Sequence, residues 1–387
     1  MAAVPVGLLI SPPGRFRLEA MGIVHALGFL AALSALLIAL RPLRPATQIL
    51  GGLLFLLVFT DGAYASYFNT FYTEPATLIF FLGSVGLALL IAARPDPPAW
   101  LSGAFFPCAA LFATSRPQNA LLGIIFALLG IRLVWPDRDR ARRRFAVAAA
   151  VGLCVVSFAY FRNPPGPLGK IHLYNAVFRE LLVGSPDPRG DLAALGLEPS
   201  LARYVGLSGF SRDAPIVDAG FRSDFYGRIG YRKLAGFYAV RPGRVWRALE
   251  RSASHAFEIR PLRLGNYPKE TGKPAGAVNW SFAFWSRAKE RFLPARLGFV
   301  MGFLIVNLAA ALATRLRARK RAARLAAEVW IAVVLVAAFQ FSVSAVMNHE
   351  SRRSLFLFNA SCDVLFIALC ARVLAAFRGR EVAPISR

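Results

Sequence analysis

The stretch DGAYASYFNTFYTEP, residues 61–75, sits between two apolar runs, 46–60 and 74–93, that read as membrane spans. The chain has a formal net charge of +25, yet this stretch holds no Lys or Arg. It packs Tyr64, Tyr67, Phe68, Phe71 and Tyr72 around two carboxylates, Asp61 and Glu74. Part of that composition has an ordinary explanation. Thr73 can cap the following helix, Pro75 suits its first turn, and Glu74 complements its dipole. Aromatic side chains also gather at membrane interfaces. Five aromatics, Asn69 and two acids in fifteen residues exceed what a cap and a belt require. Polar groups at membrane depth are usually functional, so the stretch reads as part of a site.

Working outward, the 387 residues are 56% hydrophobic with a mean hydropathy of +0.50, too apolar for an ordinary soluble domain. A span needs about 20 apolar residues. The candidates are 21–40, 46–60, 74–93, 99–115, 119–135, 145–161, 297–314, 328–347 and 355–374. Each must be helical, because lipid offers backbone groups no partner. The pattern therefore predicts an all-α polytopic membrane protein. It has about nine transmembrane helices and one mainly helical outer-face domain. The divisions are 1–161 with six spans, 162–296 as the extracytoplasmic domain, and 297–387 with three spans.

The basic residues occupy short connections: Arg138, Arg140, Arg142, Arg143 and Arg144 in one, and Arg315, Arg317, Arg319, Lys320, Arg321 and Arg324 in another. Charge so placed reports topology and argues against nucleic acid as a partner. Putting these clusters and the C-terminus inside places the 61–73 loop, the 115–119 turn, the 162–296 domain and the 349–353 turn on one outer face. Nine spans then put the N-terminus outside, and the short apolar run from Val4 to Ile10 does not reach across a bilayer. Cys108, Cys154, Cys362 and Cys370 fall in or beside apolar runs, so neither a disulfide nor a zinc site is expected. The excess of Arg over Lys suggests a bacterial, GC-rich source.

Three further outer-face features stand beside the opening loop. In SRPQNA, residues 115–120, Arg116 opposes both the topological bias and the dipole of the helix it begins, penalties an anion would reverse. A rim Arg snorkelling to water is the plainer explanation. In NHESRRSLFLFN, residues 348–359, Arg352 and Arg353 suit a lipid phosphate, although a solvated charged turn has the same composition. Asp363 lies about two turns into the last span and must be paired, by a neighbouring helix or within a proton relay.

YFNTFYTEP, SRPQN, the outer helical domain and the Arg-rich turn before the last span together resemble bacterial polytopic glycosyltransferases of the GT-C superfamily. The likeness is nearest to a group with a YFNSFYSEP-like loop. LYNAVF (173–178), SPDPRGDLAALGL (185–197) and LGNYPKETGKP (264–274) fit the same group. The resemblance implies an enzyme of the bacterial inner membrane, with a cytoplasmic C-terminus. It would move a sugar from a polyprenyl-phosphate donor to an extracytoplasmic glycan or lipid acceptor, with inversion. It implies Glu74 and Asp61 as catalytic acids and, with a divalent cation such as Mg or Mn, as metal ligands. No organic cofactor is implied. Arg116, Arg352 and Arg353 would bind the donor phosphate. Tyr67, Asn69, Tyr72, Gln118, Asn119 and His349 would contact sugar or acceptor. The superfamily also keeps its principal acid in a first outer loop after an inside-starting helix. Neither is found here, which gives the expectation of a chain lacking that span and loop. Two other readings follow from the same residues. One is a non-catalytic relative that has lost its acid. The other is a lipid or solute transporter using Asp363.

Overall fold

The computed structural model describes residues 3–10, 15–135, 139–163, 168–261, 264–267, 269–347 and 351–380. Its regular elements are helices, joined by irregular stretches, with an isolated bridge between Asn266 and Val278 as the β pairing among the described residues. Among the described residues, six helices are long and apolar enough to span a membrane: Glu19–Ala39, Glu74–Ala93, Arg140–Arg162, Leu297–Arg317, most of Arg321–Met347, and most of Phe356–Arg380. Three shorter apolar helices, Pro45–Phe59, Ala99–Thr114 and Leu122–Val134, run for 15, 16 and 13 residues. They fall on the three remaining candidate spans.

Helix Glu74–Ala93 is the axis of the bundle. Residues on every side of it are buried, as expected of a helix apolar all round. Its small residues let neighbours approach closely, the usual basis of helix packing in lipid. A Cβ on Gly86 would come within 2.9 Å of the Ala35 Cβ, and one on Gly83 within 3.0 Å of the Cys108 Sγ. The first turn differs from expectation. Thr73 makes no capping bond, because its backbone is already helical (φ −85°, ψ −7°) rather than extended as a side-chain cap requires.

The two ends of the bundle differ. At one end the arginines of the connections are tied down: Arg142 to Asp96, Arg132 and Arg315 to Glu328, and Arg321 to the Pro95 carbonyl. At the other end the 61–73 loop, the 115–119 turn, residues 351–354 and the large inserted segment converge.

That segment belongs to two cores. Residues 173–238 build their own, around the stacked Tyr174–Phe178 pair (4.6 Å) and the Phe221–Phe225 pair (5.4 Å). Ala253, Ala256, Phe257, Ile259 and Leu264 instead pack into the core of the bundle. Here the inserted segment is fastened to the membrane helices.

Candidate functional site

Glu74 occupies the first turn of the axial helix and is fully buried. An isolated carboxylate there would cost several kcal/mol. Two guanidiniums compensate it: Arg353 Nε lies 2.6 Å and Arg116 Nη1 3.2 Å from Oε1. Arg116 comes from the turn before helix Leu122–Val134, and Arg353 from helix Ser351–Ser354. Arg353 also lies over the Tyr72 ring at 4.1 Å, while Arg116 reaches the Arg353 carbonyl. Glu74 Oε2 is buried without a hydrogen-bond partner.

Arg353 is held from behind. Gln340 Nε2 and Ser344 Oγ both donate to the Ser354 carbonyl, pinning the short helix against Arg321–Met347. Beside Arg116, Asn119 Nδ2 donates to Ser115 Oγ and Thr77 Oγ1. Asn119 Oδ1 and Gln118 Oε1 are buried with no hydrogen-bond partner. Tyr67 is buried and donates to the Ile259 carbonyl, joining the loop to the inserted segment. Burial first, and the charge of Glu74 second, push its phenol well above the ordinary tyrosine range.

The sequence candidates thus divide. Glu74, Arg116, Arg353, Tyr67, Tyr72, Gln118 and Asn119 come to one end of the bundle, several in direct contact. Asn69 faces Helix Glu19–Ala39, where a Cβ on Gly22 would strike its Oδ1 at 1.9 Å. Arg352 turns away from Glu74 and pairs with Glu258. His349 lies outside the described residues.

Asp61 has a different setting from the expected one. Its Oδ1 accepts the Ala63 N–H and the Ser286 hydroxyl, and its Oδ2 accepts the Ser286 N–H. It caps helix Gly62–Ala65 and fastens helix Phe284–Phe292 to the loop. The donor set does not fit the implied divalent cation. Asp61 is committed to three hydrogen-bond donors, and Glu74 to two cations. Among the described residues no group of three or more His, Cys, Asp or Glu could hold a metal ion.

Below this rim lies a second polar layer that sequence reasoning resolved only in part. Asp363 is buried and pairs with Lys289 Nζ at 2.9 Å, and Tyr64 donates its hydroxyl to Asp363 at 2.7 Å. Lys289 also donates to Asn359 Oδ1, and Asn359 Nδ2 donates to the Ala256 carbonyl. The need for a partner was evident from Asp363 alone. The identity of that partner was not, because Lys289 comes from helix Phe284–Phe292, 74 residues away along the chain. The one available signal was that an Asp in a span demands a cation, and Lys is scarce in this chain.

A family model described as the YfdI N-terminal transmembrane domain matches residues 1–382, and the chain belongs to that family. Taken with the six long apolar helices, this makes it a multi-pass membrane protein. No curated protein and no solved structure matches the chain.

Proposed function

We propose that this YfdI-family membrane protein is a glycosyltransferase, moving a sugar from a polyprenyl-phosphate donor to a glycan or lipid acceptor at the membrane surface. The observation that carries the reading is Glu74. It is a buried carboxylate with one oxygen clamped by two arginines and the other without a hydrogen-bond partner. The chemistry needs both kinds of group. The acceptor hydroxyl attacks the anomeric carbon and gives its proton to Glu74 Oε2. The bond from that carbon to the phosphate oxygen breaks, and the lipid phosphate leaves with the electron pair. A base and cations at fixed positions serve these two demands. Arg353, with its side chain 27% exposed against 9% for Arg116, is the arginine placed to turn from Glu74 toward an incoming phosphate. Tyr72 supplies the ring face along which it would move. The resemblance of YFNTFYTEP and SRPQN to GT-C enzymes supports the same reading.

The test is transfer of labelled hexose from undecaprenyl-phosphate hexoses by membranes holding the full-length protein. A general base contributes about 10²–10⁴ in rate. Glu74→Gln is therefore expected to lose transfer by at least about a hundredfold while inserting normally. Wild-type transfer by a normally inserted Glu74→Gln protein would reassign Glu74 to holding the bundle together.

A further inference from the structure

Away from Glu74, a cleft of about 420 Å³ opens between the inserted segment and the Arg352 turn. Its polar wall is Glu258, Arg260, Trp280, Glu290 and Arg352. Phe257 and Leu293 form an apolar wall. Leu293 shortly precedes helix Leu297–Arg317, and Phe257 packs edge-to-face on Phe299 of that helix at 5.7 Å. The cleft therefore adjoins the point where a spanning helix enters the bundle. Its volume is in the range of small-molecule sites, about 300–1,000 Å³.

Arg260 is the distinctive residue. It is 8% exposed, and its Nη1 donates to the Asn279 carbonyl at 2.9 Å. Its guanidinium lies 4.5 Å from the Trp280 ring centroid. Gly265, at φ +72°, makes room for it, since a Cβ there would sit 2.6 Å from Nη1. The guanidinium is thus built into place from three sides. Yet its Nη2 is buried without a hydrogen-bond partner. Glu290 and Asp61 are near enough to act on the Arg260 charge, yet Nη2 keeps its bond unmade, which is costly for a buried charged group and points to an anion as its ligand.

We propose that this cleft binds the phosphate of a lipid headgroup, with Arg260 Nη2 and Arg352 on the phosphate and Phe257 and Leu293 along the first carbons of the chain. Arg and phosphate match in geometry as well as charge. Two carboxylates share the cleft, and both are moderated. Glu258 is paired with Arg352, and the Glu290 carboxyl is pushed up by burial first and by Glu258 second. The inference deepens the glycosyltransferase reading and rests on it for the donor's role. The cleft is a second position for the lipid phosphate, apart from the one at Glu74 where Arg353 would meet the leaving group.

The experiment is binding of radiolabelled farnesyl phosphate to the full-length protein in nanodiscs, with farnesol and inorganic phosphate as competitors. Arg260→Gln keeps a donor for Asn279 and removes the charge. It is expected to weaken binding at least about tenfold, the effect of losing one charge-assisted bond. Arg260→Lys should recover part of it. Farnesol should compete poorly, and so should inorganic phosphate. Binding indifferent to Arg260→Gln would overturn the site. Equal competition by inorganic phosphate would overturn the lipid as its source. Arg260-dependent binding in a protein that transfers no sugar would leave the cleft standing and remove the enzyme reading. Transfer with Arg260-independent binding would do the reverse.

Discussion

At the scale of single residues, the sharpest energetic feature is the Asp363–Lys289 pair, both members 2% exposed. A buried pair is poor evidence of net stabilisation, but removing one partner strands the other charge. Lys289→Met is therefore expected to destabilise the protein by about 3–5 kcal/mol, read as a shifted unfolding midpoint in detergent. Combining it with Asp363→Leu should return most of that loss. A double variant no better than the single would show that Lys289 acts through something other than Asp363. Glu74 differs in kind. Asp363 accepts from Lys289 and Tyr64 on separate oxygens, whereas Glu74 keeps one oxygen without a bond. That contrast separates a structural carboxylate from a candidate catalytic one.

At the scale of elements, the stretch Ala176–Leu181 forms a π-helical turn within the domain core. Such turns are uncommon and often mark functional positions. This one carries Glu180, whose carboxyl burial pushes up to about 7 despite Arg251 and Arg179 nearby. The folded state thus holds a proton that the unfolded chain releases near 4.5. Its stabilisation is complete below about 4.5 and is lost as pH rises through about 7. Thermal unfolding of Glu180→Gln should show a flatter pH dependence across that window. An unchanged profile would mean that Glu180 does not titrate there. The short helix Ser351–Ser354 has the opposite character. Two arginines adjacent in sequence are sent to different carboxylates, Arg352 to Glu258 and Arg353 to Glu74. A turn so divided couples the rim of the bundle to the inserted segment.

At the scale of the whole molecule, the inserted segment is attached through a few polar fastenings as well as through apolar packing. Asp61 holds Ser286, Tyr67 holds the Ile259 carbonyl, and Asn359 holds the Ala256 carbonyl. Asp61→Ala removes the acceptor for both donors of Ser286 and the cap of helix Gly62–Ala65. Limited proteolysis should then cut the inserted segment several times faster, with the spanning helices still protected. Unchanged cleavage would mean that the apolar contacts of Phe257 and Ile259 suffice.

Hydrophobic patterning by itself determined the helical membrane architecture, since apolar runs without backbone partners in lipid have few other solutions. It also brought the 61–75 loop, the SRPQN turn and the Arg352–Arg353 turn to one end of the molecule, because connections between alternate spans must share a face. It could not assign partners. Asp61 and Glu74 look equivalent as acids flanking one aromatic loop. Only tertiary packing made Asp61 a fastening for Ser286 and Glu74 the centre of an arginine cluster. Lys289 and Arg260 belong to the polar 162–296 stretch, and the fold alone buries them, one against Asp363 and the other over Trp280. The physical reason is range. Periodicity and charge bias act along the chain and are legible in it. The pairing of buried charges depends on which side chains meet across gaps of tens to hundreds of residues, and only the packed structure decides that.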